Sequence, residues 1–281
     1  MSNPGRGFIG VPCREQGRVS TFWDCLLRLT LPDGCSREPI VRYNNSVAQA
    51  RNQIAEEALK RGADWIFWLD DDMLFGRDVL MRLVQRPEAI VIGLTMMRCT
   101  GDGVFRPIWS TQPMTPEPNS QRFLWHAAEE VVTGANGMMR LRSGTGGGVL
   151  TRRVVFDTLP APWWQQGQYD PEMFFEDIYF YDKATEAGIE IWGDPSVRFG
   201  HYQPTVLWPH QRPDGSWSTV LAHGFDGFLE QPWPTPQPQG QDASHGAIHQ
   251  SDLQRHQNGD EIRHGERRED QRPLADCASM R

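Results

Sequence analysis

The sequence predicts an α/β fold in which parallel strands alternate with helices. Three observations carry this reading. Short apolar runs, GFIGVP (7–12), WIFWL (65–69) and AIVIGL (89–94), show no polar alternation, as strands covered on both faces do. Amphipathic segments separate them, and Gly or Pro punctuates the joints. The resulting strand–helix–strand–helix–strand order suits crossovers between parallel strands.

Each element has its own warrant. GFIGVP is a short buried strand ended by proline. NNSVAQARNQIAEEALKRG (44–62) is the clearest helix: Asn45 or Ser46 caps it, Gly62 stops it, and Val47, Ala50, Ile54, Ala58 and Leu59 line one face. GRDVLMRLVQR (76–86) is a second amphipathic helix. Residues 100–137, rich in Pro, Gly and polar side chains, form an excursion from the sheet. RSGTGGGVLTRRVVFDTL (142–159) is a glycine-rich turn entering an apolar segment. FFEDIYFYDKATEAG (174–188) is a helix with two carboxylates near its start and Gly188 at its end. IEIWGDPSV (189–197) is a further strand and turn, followed by RFGHY (198–202). TVLWPHQRPDGSWSTVL (205–221) reads as a β-hairpin around Asp214–Gly215. From residue 236 to 281 the composition turns to Pro, Gln, His and charge, which predicts a disordered tail after a single domain spanning 1–235.

Composition excludes several classes. Five cysteines, odd in number and without a CxxC pair, argue against a zinc ribbon or a disulfide scaffold and fit a reducing compartment. The N-terminus has no apolar stretch suited to a signal peptide, and no run of about 18 apolar residues could span a membrane. The expectation is a cytoplasmic protein. Net charge is −8 but uneven: residues 98–153 carry 7 basic and 4 acidic side chains, whereas 154–240 carry 3 and 12. Lysine occurs only at positions 60 and 183, so arginine, the better binder of phosphate, supplies most of the positive charge.

The stretch ADWIFWLDDDMLF (63–75) concentrates the chemistry. Three like charges directly after a buried strand repel one another unless a metal ion, arginines or water lie among them. In α/β sheets the carboxyl ends of strands are where ligands bind. On an extended backbone Asp70 and Asp72 would share one face and Asp71 the other. Oxygen ligands of this kind suit Mg²⁺ or Mn²⁺. The alternative is a solvated acidic turn capping the helix that starts near Gly76.

FWLDDDM resembles the DxD motif of GT-A-fold glycosyltransferases, which bind nucleotide-sugar donors through a divalent cation. Further segments resemble that superfamily, its GT2-like branch above all, in the same order: the helix carrying Ala50, Arg51 and Asn52, then GTGGGVLTRRVVFDTL, FFEDIYFYDKATEAG and WGDPSVRFGH. The resemblance covers residues 7 to about 205. It implies a GT-A, Rossmann-like mixed sheet flanked by helices, with the C-terminal hairpin and tail beyond it.

By the same resemblance Asp72 binds the metal, Asp70 shares the ion or meets the donor's ribose, and His201 supplies a nitrogen ligand that tilts the preference towards Mn²⁺. Arg51 faces the diphosphate. Pro12, Cys13 and Arg14 lie beside the nucleobase, and Asp71, Gly147 and Gly148 join the donor site. Asp177 is the general base and Glu176 its neighbour. Plain alternatives stand beside these: an ordinary histidine at 201, a solvent-facing Arg51, and acids at 176 and 177 that only complement a helix dipole. That dipole would lower a carboxylate's pKa. Gly146, Gly147 and Gly148 imply a backbone passing close to the sugar or adopting positive φ.

The activity implied is transfer of one sugar, from a UDP-sugar by preference, to a hydroxyl, with inversion. A QxxRW motif is absent, which argues against a processive synthase. The acceptor could be a hydroxymethylated base in DNA, as some bacteriophages make, placing the protein in the host cytoplasm. Arg98, Arg106, Arg122, Arg140 and Arg142 are the candidates to meet such a polyanion; simple balancing of the acidic 154–240 stretch is the alternative. A small-molecule or glycan acceptor, a nucleotidyltransferase and a non-catalytic sugar-nucleotide-binding module are the rival readings. A two-metal nuclease would need more carboxylates than the sequence groups together.

Overall fold

The structure is a computed structural model that describes residues 4–13, 20–43, 46–97, 106–116, 123–167, 176–202, 206–223 and 227–232. These all fall within one unit, Met1–Pro236; the second unit, Gln237–Arg281, and with it the tail read at 236–281, lies outside the described residues. In chain order the elements are β1 (Gly7–Cys13), α1 (Ser20–Arg28), β2 (Ile40–Tyr43), α2 (Val47–Lys60), β3 (Trp65–Trp68), β4 (Met73–Phe75), α3 (Val79–Val84) and β5 (Ile90–Thr95). Short strands follow: β6 (Trp109–Ser110), β7 (Thr115–Pro116), β8 (Phe123–Leu124), β9 (Met139–Leu141), β10 (Ser143–Gly144) and β11 (Val149–Arg152). The remainder are α4 (Arg153–Thr158), α5 (Glu176–Glu186), β12 (Ile191–Tyr202), β13 (Val206–Gln211), β14 (Trp217–His223) and β15 (Gly227–Pro232).

The main sheet is mixed and flanked by helices, with the order β15-β14-β13-β12-β5-β11-β3-β1-β2, while β4 and β9 also pair with β12. β2, β1 and β3 run parallel, as do β5 and β12. β11 lies between β3 and β5 and is antiparallel to both, so the sheet is mixed, as expected, while β2, β1 and β3 keep the parallel order that the alternation of elements predicts. The amino end of β11 therefore sits at the same edge of the sheet as the carboxyl ends of β1, β2 and β3. That edge gathers every motif singled out above.

β3 explains its own lack of polar alternation. Ile66 and Trp68 enter one core layer, with Ile54, Ile92 and Phe180. Trp65 and Phe67 enter the other, with Phe22, Leu80 and Phe199. Both faces are covered, so both must be apolar. Removing Phe67, fully buried in this layer, would cost about 3–5 kcal/mol.

α2 starts where Ser46 accepts a hydrogen bond from the Gln49 N–H at 3.3 Å, and it ends before Gly62, which adopts φ +81°. Its buried face is Ala48, Ala50, Arg51, Ile54, Ala55 and Ala58; Val47 and Leu59 are only half-buried. A charged residue thus occupies a face the apolar pattern did not assign to it. The second helix, α3, is shorter than the 76–86 pattern: a turn at Arg77–Asp78 precedes it and Gln85 caps its end, while β4 separates that turn from the aspartates. The hairpin closes at Gly215, φ +86°, and β15 adds a third strand.

Candidate functional site

The three aspartates diverge. β3 ends at Trp68, and the Met73 N–H closes a turn onto the Asp70 carbonyl at 3.2 Å. The alternating-face expectation is corrected here, because a turn has no strand periodicity. Asp70 Oδ1 accepts from Arg51 Nη2 on α2 at 2.7 Å. Asp71 meets the Cys13 thiol at the end of β1; burial, then the charge of Asp71 and a hydrogen bond to it, push that thiol's pKa up to about 12. Asp72 lies against β12: its carbonyl accepts from the Tyr202 N–H at 2.7 Å, and its Oδ2 is 3.5 Å from His201 Nε2.

Chain pairing produces the last contact. β4 leaves the acidic turn and runs antiparallel to the end of β12, with Met73 opposite His201. The register of β12 against β5 shifts between Asp194 and Arg198, which sets Phe199 opposite Thr95 and His201 just beyond it. Asp194 holds the irregularity: its carboxylate accepts from the Ser196 N–H at 2.9 Å and from Arg86 Nε at 2.7 Å.

His201 Nδ1 is 3.0 Å from the Met96 carbonyl oxygen. A carbonyl only accepts, so Nδ1 carries the hydrogen, and Nε2 faces the Asp72 carboxylate, as an N–H in the protonated ring or as a lone pair in the neutral one. A carboxylate oxygen and an imidazole lone pair in that relation suit a cation between them. A backbone carbonyl behind a ligating histidine is the usual support. Among the described residues no group of three or more His, Cys, Asp or Glu side chains forms a ready cage. Two protein atoms fit an ion such as Mn²⁺ whose remaining positions go to water and phosphate oxygens. Asp70, expected to share the ion or meet the donor's ribose, gives its Oδ1 to Arg51.

Arg51 is 2% exposed, which removes the solvent-facing alternative. Expected at a diphosphate, its guanidinium is turned to protein groups: besides Asp70, Nη1 donates to the Gly146 carbonyl at 2.8 Å and Nε lies 3.6 Å from Glu176 Oε1. Burial opposes its charge, and Asp70, then Glu176 and Asp177, more than restore it. The glycines follow from this packing. A Cβ on Gly146 would sit 2.4 Å from Arg51 Nη2, and one on Gly147 2.6 Å from Asp70 Oδ2. Gly148 does adopt positive φ, +70°.

Glu176 and Asp177 open α5 as expected. Burial raises the pKa of Glu176 against the pull of Arg51. Burial, then the charge of Glu176, push Asp177 up to about 8. The expectation that the helix dipole would lower these acids is therefore overturned: desolvation outweighs the dipole. A carboxyl raised to that range is a stronger base once ionised.

The remaining candidates scatter. Pro12 is buried in β1 opposite Arg42 of β2, and Arg14 lies outside the described residues. Tyr43, opposite Cys13 in register, is 60% exposed at the same edge; nothing in its sequence context marked it. Asn52 also escaped notice as a brace: its Oδ1 accepts from the Trp163 and Trp164 N–H groups at 2.9 and 3.2 Å, and its Nδ2 donates to the Trp164 carbonyl at 2.7 Å. Tyr181, fully buried, donates to the Thr145 carbonyl at 2.6 Å and so steadies the glycine-rich loop from α5. Polar side chains on the buried sides of α2 and α5 were the available signal.

Two of the five candidate arginines, Arg140 and Arg142, are engaged within the chain. Arg140 pairs with Glu190 and stacks over Trp192, and Arg142 Nη2 is 2.7 Å from Asp182 Oδ1. Both partners belong to the acidic 154–240 stretch, as charge balancing requires. Arg106 is half-buried, while Arg98 and Arg122 lie outside the described residues.

No protein-family model matches the sequence, and no curated protein matches it. Among solved structures, A197 from STIV is similar at 12% identity with a TM-score of 0.47, over 85% of this chain and 100% of that one. A likeness of that degree bears on neither family nor activity. No helix among the described residues is long and apolar enough to cross a membrane.

Proposed function

We propose that this protein is a divalent-cation-dependent glycosyltransferase that moves one sugar from a nucleotide-sugar, a UDP-sugar by preference, to a hydroxyl acceptor with inversion. The observation that carries the reading is the Asp72–His201 pair, 3.5 Å apart, at the sheet edge where Asp70 binds Arg51. A carboxylate facing an imidazole is a pair of ligands that a divalent cation could take with the ring neutral, and the resemblance of FWLDDDM to a DxD motif supplies the donor that would accompany it. Mn²⁺ or Mg²⁺ bound there would neutralise a departing diphosphate.

The chain's own residues would do the rest. Asp72 and His201 hold the ion, with the Met96 carbonyl fixing the imidazole. Asp177 takes the acceptor hydroxyl's proton as the acceptor oxygen bonds to the anomeric carbon and the bond from that carbon to the diphosphate breaks. Glu176 keeps Asp177's pKa high by like charge. The pairing of Arg140 and Arg142 within the chain favours a small-molecule or glycan acceptor over DNA.

The test is incubation of the full chain with a panel of nucleotide sugars and Mn²⁺. Slow release of nucleoside diphosphate is the expected result. Release of pyrophosphate would assign nucleotidyl transfer instead, and binding without turnover would leave a sugar-nucleotide-binding module.

A further inference from the structure

Arg51 is the sole charged side chain on the buried face of α2, and it touches three other parts of the chain. Its Nη2 donates to Asp70 in the acidic turn at 2.7 Å, and its Nη1 to Gly146 ahead of β11 at 2.8 Å. Its Nε, 3.6 Å from Glu176 Oε1 on α5, has no hydrogen-bond partner among the described residues. About 0.6 Å of closure would bring that contact to an ordinary hydrogen bond. Gly146 and Gly147 let the loop pack closely on both groups: a Cβ on Gly146 would lie 2.4 Å from Arg51 Nη2, and one on Gly147 2.6 Å from Asp70 Oδ2.

We infer that Arg51 is a positioning residue that links the acidic turn to the amino end of α5, so that a change at Glu176 is felt at Asp70 and the glycine-rich loop. A guanidinium is a rigid planar fork, so its three contacts cannot adjust one at a time. Burial makes the link strong: a desolvated cation cannot release one carboxylate without leaning on the other. On the proposed reaction, the metal and donor end would then be set by the same group that places the acids. The link itself does not depend on that reading.

Native-state hydrogen exchange on the ligand-free full chain tests the link. The reporters are the N–H groups of Met73, Gly147 and Gly148, which donate to the Asp70 carbonyl, Thr145 Oγ1 and the Trp68 carbonyl. Glu176→Gln, although on α5, is expected to speed exchange at all three by roughly tenfold. The comparison variant Arg142→Met removes the other arginine pair on α5, a half-buried one to Asp182, and is expected to speed exchange in α5 without reaching the reporters. Arg51→Lys should match Glu176→Gln, and the double variant should add nothing further.

Exchange confined to α5 in Glu176→Gln, or additive effects in the double variant, would overturn the inference. Should Arg51→Lys fail to fold, the contrast between Glu176→Gln and Arg142→Met decides alone. Calorimetry with Mn²⁺ and UDP forms a separate arm, in which Glu176→Gln weakens binding several-fold. Absence of binding by the unaltered protein would sink the proposed function while leaving the exchange result to stand.

Discussion

Asp72 and His201, far apart in the chain, meet across a strand pair: the carboxylate Oδ2 lies 3.5 Å from the imidazole Nε2 while Nδ1 is held by the Met96 carbonyl. The arrangement brings a carboxylate oxygen and an imidazole nitrogen to one point at the sheet edge. Neither residue belongs to the apolar core, and both keep partial exposure to solvent.

Asp72→Ala and His201→Ala should each abolish Mn²⁺-dependent binding of UDP or a UDP-sugar while leaving the melting temperature close to that of the parent. Calorimetry with and without Mn²⁺ reads this directly. Unchanged affinity in both variants would remove the metal assignment.

Asp177→Asn keeps size and polarity but cannot take a proton, so kcat should fall by roughly 10²–10⁴ with donor affinity little altered. In the parent protein, kcat/KM should rise with pH through about 8, where the raised carboxyl ionises. A rate retained above about a tenth would move the role to Glu176 or to a mechanism without a protein base.

The same carboxyl predicts a stability trend. Its folded pKa, about 8, stands above its ordinary value of 3.8, so between those limits the folded chain binds more protons than the unfolded one. The stabilisation is complete below the lower value and is lost as pH rises towards the upper. Melting temperatures between pH 5 and 9 should therefore fall more steeply in the parent than in Asp177→Asn. Parallel slopes would show that Asp177 is ionised throughout.

Gly147→Ala should be more harmful than an exposed Gly→Ala change. Its Cβ would lie 2.6 Å from Asp70 Oδ2 and 2.8 Å from Met73 Sδ, in a site already filled. A loss of about 1–3 kcal/mol is expected, read by chemical denaturation. Gly137→Ala, where nothing lies within 4 Å, is a poor control because φ there is +75°; Gly76→Ala, with 3.2 Å to the Asp78 side chain, serves better.

Acceptor charge can be read from salt. Phosphate-backbone contacts make binding fall steeply as salt rises. Because Arg140 is paired with Glu190, Arg140→Glu should leave transfer to a neutral saccharide unchanged, and turnover should vary little with salt. Efficient transfer to hydroxymethylated duplex DNA, lost in Arg140→Glu and at moderate salt, would assign the excursion to a nucleic acid instead.

The sequence by itself determined the local features. The doubly covered strand at WIFWL, the Ser46 start and Gly62 stop of α2, the turn at Asp214–Gly215 and the acid pair opening α5 all follow from apolar period, capping and turn chemistry among neighbouring residues. Only the tertiary structure decided what these elements meet. It set β11 antiparallel between β3 and β5, sent the three aspartates to three different partners, and brought β4 against the end of β12. It buried Arg51 against a carbonyl 95 residues away, and it raised Asp177 where the helix dipole alone would have lowered it. The physical reason is common to all of these. Periodicity reports that a side chain is covered, whereas the identity of the covering group, and the desolvation it imposes, depend on strand order and register across distant parts of the chain.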